Sequence, residues 1–407
     1  MLPRPPWPWQ GGRASPNAGA MRLWLASFLL LVFAAAPLSG ASAQVVRAPG
    51  VDEAELDRRA QLLMQQLEMT GMAMAIVEDG EITLAKGYGE RLRDSNLQVD
   101  ENTVFRWASV SKSVAAAVLL GLVEDGSVDP NKSITELAPS LRLPPTEVRH
   151  DIVDLLSHRI GVTRNAYDTR IEGGRAAKTI RGQIAELGWI CPPATCHTYQ
   201  NVIYDSAAEI VERGEGLPYK TVVQRDVFDP LGMDTASVTL EGLTGSSNYA
   251  APHGRFGERI KRVKPTYYRV PAAAGVNSSV VDLAKWMIAL MPGEGSPFPE
   301  ERLAAMQSPI VRTVREQRFL NRRFGDLKNS HYGLGLRVYD YHGHKVVGHR
   351  GGVQGYRALM LFDPERRSGI VMLWNSPHTR PIGLQMEFLD QLYGLPKRDW
   401  LRLNERS

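Results

Sequence analysis

Cysteine is scarce in this chain: its 407 residues hold two, Cys191 and Cys196. Two thiols cannot build a four-cysteine metal site. A Pro-Pro pair lies between them, and the Cys-x-x-Cys redox spacing is absent. A long apolar run is missing as well. Leu23 to Ala36 is apolar but too short for a comfortable membrane span. No cysteine follows it, so no lipid-attachment signal is visible. Internal repeats and low-complexity tracts are absent. Neither sign of charge dominates. The formal charge is +4, and Arg4, Arg13 and Arg22 supply three of these charges in a stretch without acidic residues, leaving +1 from Gln44 onward. The basic balance therefore gives no reason to expect a nucleic-acid partner. Arg315 to Arg323 reads as a solvated basic loop.

What is present is ordinary globular composition, 43% hydrophobic and 23% charged, with room for a large core. The first residues read as targeting sequence. Met21-Arg22 opens a short positive region, the apolar run follows, and Ala41-Ser42-Ala43 fits a small-residue cleavage site with Gln44 as the new N-terminus. Residues 1–20, rich in Pro and Trp, read as an upstream extension. The expected destination is the periplasm or the medium, where Cys191 and Cys196 are expected to close a small disulfide loop.

After a linker at 44–50, Val51 to Leu67 reads as a helix stopped by Gly71. Met72 to Val77 and Ile82 to Tyr88 read as strands joined by the hairpin turn Asp79-Gly80. The middle of the chain is helical and loop-rich. Strands return at Gly333 to Tyr339, Lys345 to His349, Arg357 to Phe362 and Gly369 to Asn375, and Pro381 to Tyr393 reads as a closing helix. The expected class is α/β (α+β): an antiparallel sheet flanked by helices, with a second, mostly helical lobe. The sheet lobe is expected from 51–108 and 330–395, the helical lobe from 109–329, and 396–407 as a tail.

Three stretches carry chemistry. In Phe105-Arg-Trp-Ala-Ser109-Val-Ser-Lys112, Ser109 falls at an expected helix start and Lys112 lies one turn on, on the same face. A desolvated lysine can serve as base for a serine nucleophile, and free N–H groups at the helix start can hold a negative oxygen. Tyr199-Gln200-Asn201 lies in a loop before a helix. Nearby positive charge is expected to favour the Tyr199 phenolate, and Asn201 offers an amide to a substrate carbonyl and to Lys112. His349-Arg350-Gly351-Gly352 ends a strand whose glycines allow close approach of a ligand. A metal site built from His342, His344 and His349 is disfavoured by Gly343 in a turn and the lack of a nearby acidic partner. His158, at a helix end, is expected to bond the last carbonyls.

The ordered set Ser109-x-x-Lys112, Tyr199-x-Asn201 and His349-x-Gly351 resembles the signature of the class C β-lactamase and penicillin-binding-protein family. Further similarity runs from Met72 to about Tyr393 and includes Leu155-Leu156-Ser157-His158, Pro230-Leu231-Gly232-Met233 and Tyr332-Gly333-Leu334-Gly335. The resemblance implies Ser109 as acylated nucleophile and Lys112 and Tyr199 as proton carriers. It implies Asn201, His349, Arg350, Gly351 and Gly352 as substrate-binding residues, with the N–H groups of Ser109 and Gly352 as oxyanion hole. No cofactor or metal is implied. The expected substrate is a β-lactam or a peptidoglycan-like D-amino-acid peptide or amide. An esterase on the same site and a catalytically silent envelope binding protein are the alternatives. One departure stands out: His-Arg-Gly replaces Lys-Thr-Gly, so a titratable group takes the place of a permanent cation. Arg350 would compensate if it pointed inward.

Overall fold

The computed structural model describes residues 50–260 and 262–403. The expected signal sequence and cleavage site lie outside these. The strands are β1 (Gly71–Glu78), β2 (Glu81–Gly89), β3 (Phe105–Arg106), β4 (Asn277–Ser278), β5 (Val311–Arg312), β6 (Leu327–Tyr332), β7 (Arg337–Tyr341), β8 (His344–Val353), β9 (Tyr356–Asp363) and β10 (Ser368–Trp374). The helices framing the sheet and cleft are α1 (Glu53–Met64), α2 (Ser111–Glu124), α3 (Asp168–Glu172), α4 (Asn201–Tyr204), α5 (Ser206–Glu215), α6 (Pro271–Ala274), α7 (Val280–Ala289), α8 (Val314–Arg323) and α9 (Gly383–Leu392). Among the described residues no helix is long and apolar enough to cross a membrane.

Eight strands form one antiparallel sheet in the order β2-β1-β10-β9-β8-β7-β6-β5. The N-terminal hairpin thus pairs with the last strand, Met72 opposite Trp374. Asp79 and Gly80 both have positive φ, as a type I′ hairpin requires. Side chains alternate across the sheet. Met72, Met74 and Ile76 face a core with Leu56 and Leu63 of α1 and Phe388 and Leu389 of α9. Ala73, Ala75 and Val77 face the opposite core, with α2 and α7. The antiparallel sheet with helices on both sides is the expected class.

Several local expectations change. Arg315–Arg323 belongs to helix α8 rather than a loop, because Leu320 is fully buried against the sheet while the arginines face outward. β5 and β6 add Val311–Arg312 and Leu327–Tyr332 to the sheet. The segment after 395 is held down: Arg398 pairs with Asp390, the Trp400 indole N–H donates to Asp390, and Leu401 is buried.

The site is positioned where β3, β4 and β8 meet the start of α2. β3 pairs with β4, Arg106 opposite Asn277. The Trp107 indole donates to Ser278 Oγ at 2.8 Å. β8 presses on the same turn: a Cβ placed on Gly351 would lie 2.0 Å from the Trp107 carbonyl oxygen. Helix α2 is buried on almost every side, and Trp286 of α7 donates to its Ser113 Oγ at 2.9 Å. Gly351→Ala should therefore force sheet and turn apart, costing about 1–3 kcal/mol. Thermal unfolding of the variant is expected to shift down by several degrees. An unchanged transition would mean that the strand and turn are not in fixed contact.

Candidate active site

Ala108, Ser109 and Val110 form a short 3-10 turn that runs into α2. Ser109 is therefore not the helix cap that its position suggests: Val110 holds that place, without a side-chain cap. The turn is tied by its neighbours instead, with Ser111 Oγ donating to the Ala108 carbonyl at 2.6 Å. Ala108 has φ +49°, a left-handed conformation that costs a non-glycine residue on the order of 1–3 kcal/mol. Packing against Gly351 holds it there, and Ser109 remains partly exposed.

Lys112 is fully buried one turn beyond Ser109. Its Nζ lies 3.5 Å from Ser109 Oγ. It also donates to Asn201 Oδ1 at 2.8 Å and to the Ala273 carbonyl at 2.9 Å. Burial pushes the amine down from 10.5 to about 7, against the pull of Asp168. Asn201 in turn donates from Nδ2 to Asp168 Oδ2 at 2.9 Å. Lysine, amide and carboxylate thus form one chain.

Tyr199 stands beside this amine, with Nζ 4.7 Å from its ring centroid. Burial drives its phenol up to about 12, while a hydrogen bond with Ser109 and the positive charge of Arg337 pull the other way. The expected phenolate is thus not favoured, because desolvation outweighs the nearby cations. The ring packs against His158 at 4.3 Å. His158 does not bond the preceding carbonyls with its side chain. Its Nδ1 accepts the Gln200 N–H at 3.2 Å, which fixes the backbone beside Tyr199. Cys191 and Cys196 are disulfide-bonded in the loop leading to Tyr199.

On β8, His349 is buried and fixed at both ring nitrogens. Nδ1 lies 2.8 Å from the Arg350 carbonyl, an acceptor only, so it carries the proton. Nε2 then accepts the Tyr332 hydroxyl at 2.9 Å. Burial and the cations Arg337 and Lys112 hold the imidazole well below its usual pKa. The third-motif residue is therefore neutral. His342 and His344 do not join it: His342 pairs with Asp326 at 3.2 Å, and His344 stacks on Tyr393 at 4.0 Å.

Arg350 does not compensate. Strand alternation sends it to the other face of β8, where it pairs with Glu316 of α8 and lies over Phe319. The pairing of β8 with β7 ends at Gly348, whereas that with β9 continues to Val353. Residues 349–353 therefore present an edge beside Ser109.

Ser109, Lys112, Tyr199 and Asn201 meet in one place, and His349, Gly351 and Gly352 border it. Asp168, Tyr332 and the Ala273 carbonyl belong to the same network without having been expected there. Tyr332 lies in the quoted Tyr332-Gly333-Leu334-Gly335 segment, which could have pointed to it. No motif marks Asp168.

Residues 56–394 match the Beta-lactamase family. An unguisins hydrolase from Aspergillus violaceofuscus is 28% identical over 385 residues, covering 86% of this chain and 67% of that protein. A D-aminopeptidase from Gluconobacter oxydans is 23% identical, covering 79% and 59%. The chain thus spans about two thirds of the first and about three fifths of the second. The solved octameric penicillin-binding protein homologue from Pyrococcus abyssi has the same fold, with TM-score 0.75, 24% identity and coverage of 84% of this chain and 78% of that one. The match over most of the chain, on a sheet that carries the Ser-x-x-Lys turn at its edge, makes this protein a member of the Beta-lactamase family.

Proposed function

We propose that the protein is an exported serine hydrolase that forms an acyl-enzyme on Ser109 and cleaves an amide bond next to a D-amino-acid residue. The observation that carries this reading is the buried Lys112 amine beside Ser109 Oγ, lowered to about 7. Neutral Lys112 takes the hydroxyl proton as Oγ bonds to the substrate carbonyl carbon. The N–H groups of Ser109 and Gly352 receive the developing oxyanion. Tyr199, protonated at rest, passes a proton to the leaving amine and regains one from Lys112. Water then cleaves the ester by the reverse relay and restores Ser109. Asn201 keeps a spare amide hydrogen and lone pair for the substrate amide. The D-aminopeptidases among the relatives favour a D-peptide over a β-lactam. The neutral His349 favours an ester as second substrate class, since it offers no cation to a carboxylate. Export rests on the apolar run with its Ala41-Ser42-Ala43 site and on the Cys191–Cys196 disulfide.

Covalent labelling tests the nucleophile. The protein should gain the mass of one fluorophosphonate or one fluorescent penicillin, and Ser109→Ala should gain neither while unfolding at the same temperature. A D-alanyl peptide, a penicillin, a cephalosporin and short esters, assayed on one preparation, rank the substrate classes. Absence of any adduct and any turnover would leave only the silent binding protein.

The proton assignment has its own test. Activity needs the unprotonated amine, so kcat/KM should rise with pH through about 7 and then level. Lys112→Ala should lose about 100-fold or more. His349→Lys adds a cation that disfavours a charged Lys112, so the rising limb should move to lower pH. A limb that stays in place would remove Lys112 as the titrating base.

A further inference from the structure

Arg106 lies three residues before Ser109 and is 2% exposed. Its Nε and one terminal nitrogen have no hydrogen-bond partner. The guanidinium lies on the face of Tyr268, 4.1 Å from the ring centroid. The groups acting on its charge are Tyr268, Tyr356 and Tyr267, and no carboxylate is among them. A buried guanidinium without a counter-charge is costly, and an arriving anion removes that cost.

The same side chain lines a cavity of about 330 Å³ that also holds Arg262, Lys264 and Gln354. Both basic residues are exposed at its mouth. Glu172 is the one carboxylate in the lining, against three cations. A neighbouring cavity of about 480 Å³ shares Glu172, Ile260, Tyr267 and Gln354 with the first and reaches Gly352. The two share a wall and make one groove, to which the second adds one carboxylate, Glu258, and one cation, Arg357, and which ends at Gly352 on the β8 edge. Of the site residues only Gly352 lines it: Tyr332 and Tyr199, the proposed donor to the leaving group, stand at His349, the other end of the β8 edge. A group held in this groove therefore belongs to the acyl part of the substrate.

We infer that Arg106, with Arg262 and Lys264, forms an anion subsite for a carboxylate on the acyl part of the substrate. Acyl groups that end in a carboxylate are then preferred over neutral ones of equal length. The inference rests on the acyl-enzyme reading, and its test includes an arm that needs no turnover.

The substrates are the 4-nitrophenyl ester of glutarate and its neutral glutaramate counterpart, compared by kcat/KM. The wild type should favour glutarate by about tenfold or more, the worth of one charge-assisted contact. Arg106→Gln should abolish that preference while keeping turnover of the neutral ester. Arg262→Ala with Lys264→Ala, on exposed positions, should reduce it and carries the test if Arg106→Gln does not fold. A purely structural Arg106 would lower both rates together and leave their ratio. In the second arm, free glutarate should raise the unfolding temperature of Ser109→Ala more than glutaramide does, and Arg106→Gln should erase the difference. Equal rates on the two esters in the wild type, or a preference that survives Arg106→Gln, would overturn the subsite. Failure of both esters with a glutarate-specific stabilisation intact would overturn the catalytic reading and keep the subsite.

Discussion

The site depends on the burial of one amine. A lysine moved from 10.5 to about 7 has lost on the order of 5 kcal/mol of preference for its charged form. Burial alone would make the ammonium prohibitive, and full solvation would leave it inert as a base. The Asn201 and Ala273 oxygens hold it between these limits. Their placement has a structural cause further back. Arg181 pairs with Asp205 at 2.7 Å, and Asp205 accepts the Ala272 N–H at 3.1 Å. That buried pair anchors α6, and with it the carbonyl that receives the lysine. Breaking such a pair strands a buried charge, so the geometry around Lys112 is fixed from outside the pocket.

The third motif follows the same electrostatic logic in the opposite direction. Where a lysine would add a permanent charge, His349 adds a fixed dipole. Tyr332 donates to one ring nitrogen and the Arg350 carbonyl accepts from the other, which leaves no tautomeric freedom. With this ring neutral, Tyr199 receives less help in ionising, and its phenol remains a donor at rest. Of the two groups beside Ser109, Lys112 is the one whose pKa is brought to about 7. Burial sets this difference between phenol and amine, and the neutral ring on β8 adds no cation to oppose it at the phenol.

The three motifs were legible in the sequence because each depends on residue type and short spacing. Ser109 and Lys112 are one helical turn apart in any register, and Asp79-Gly80 forces its hairpin. The antiparallel sheet followed from alternating strands at both ends of the chain. What escaped depends on long-range packing. Asp168 enters through a single bond to Asn201, 33 residues away, from the first position of α3, a five-residue helix too short to show a period. Helix α8 was hidden by its arginines, since one apolar side chain, Leu320, decides which face is buried. The direction of Arg350 could have been read, because strand alternation places it opposite His349 and Gly351. The cap assigned to Ser109 failed because the left-handed Ala108 inserts a tight turn before the helix.

That strained turn and the glycine edge are two halves of one device. A serine at the start of a fully buried helix would be buried with it. The turn at Ala108 lifts Ser109 off the helix axis into partial exposure, and it survives because β8 closes on it with no side chain at Gly351. The close approach in turn requires that β8 lose its β7 partner beyond Gly348, otherwise a neighbouring strand would occupy the space. The edge that results has no strand partner on that side, a geometry that can accept an added extended chain. The exposure of Ser109 and the free edge of β8 are therefore set by the same contact, and any change that relaxes the Trp107–Gly351 packing must disturb both.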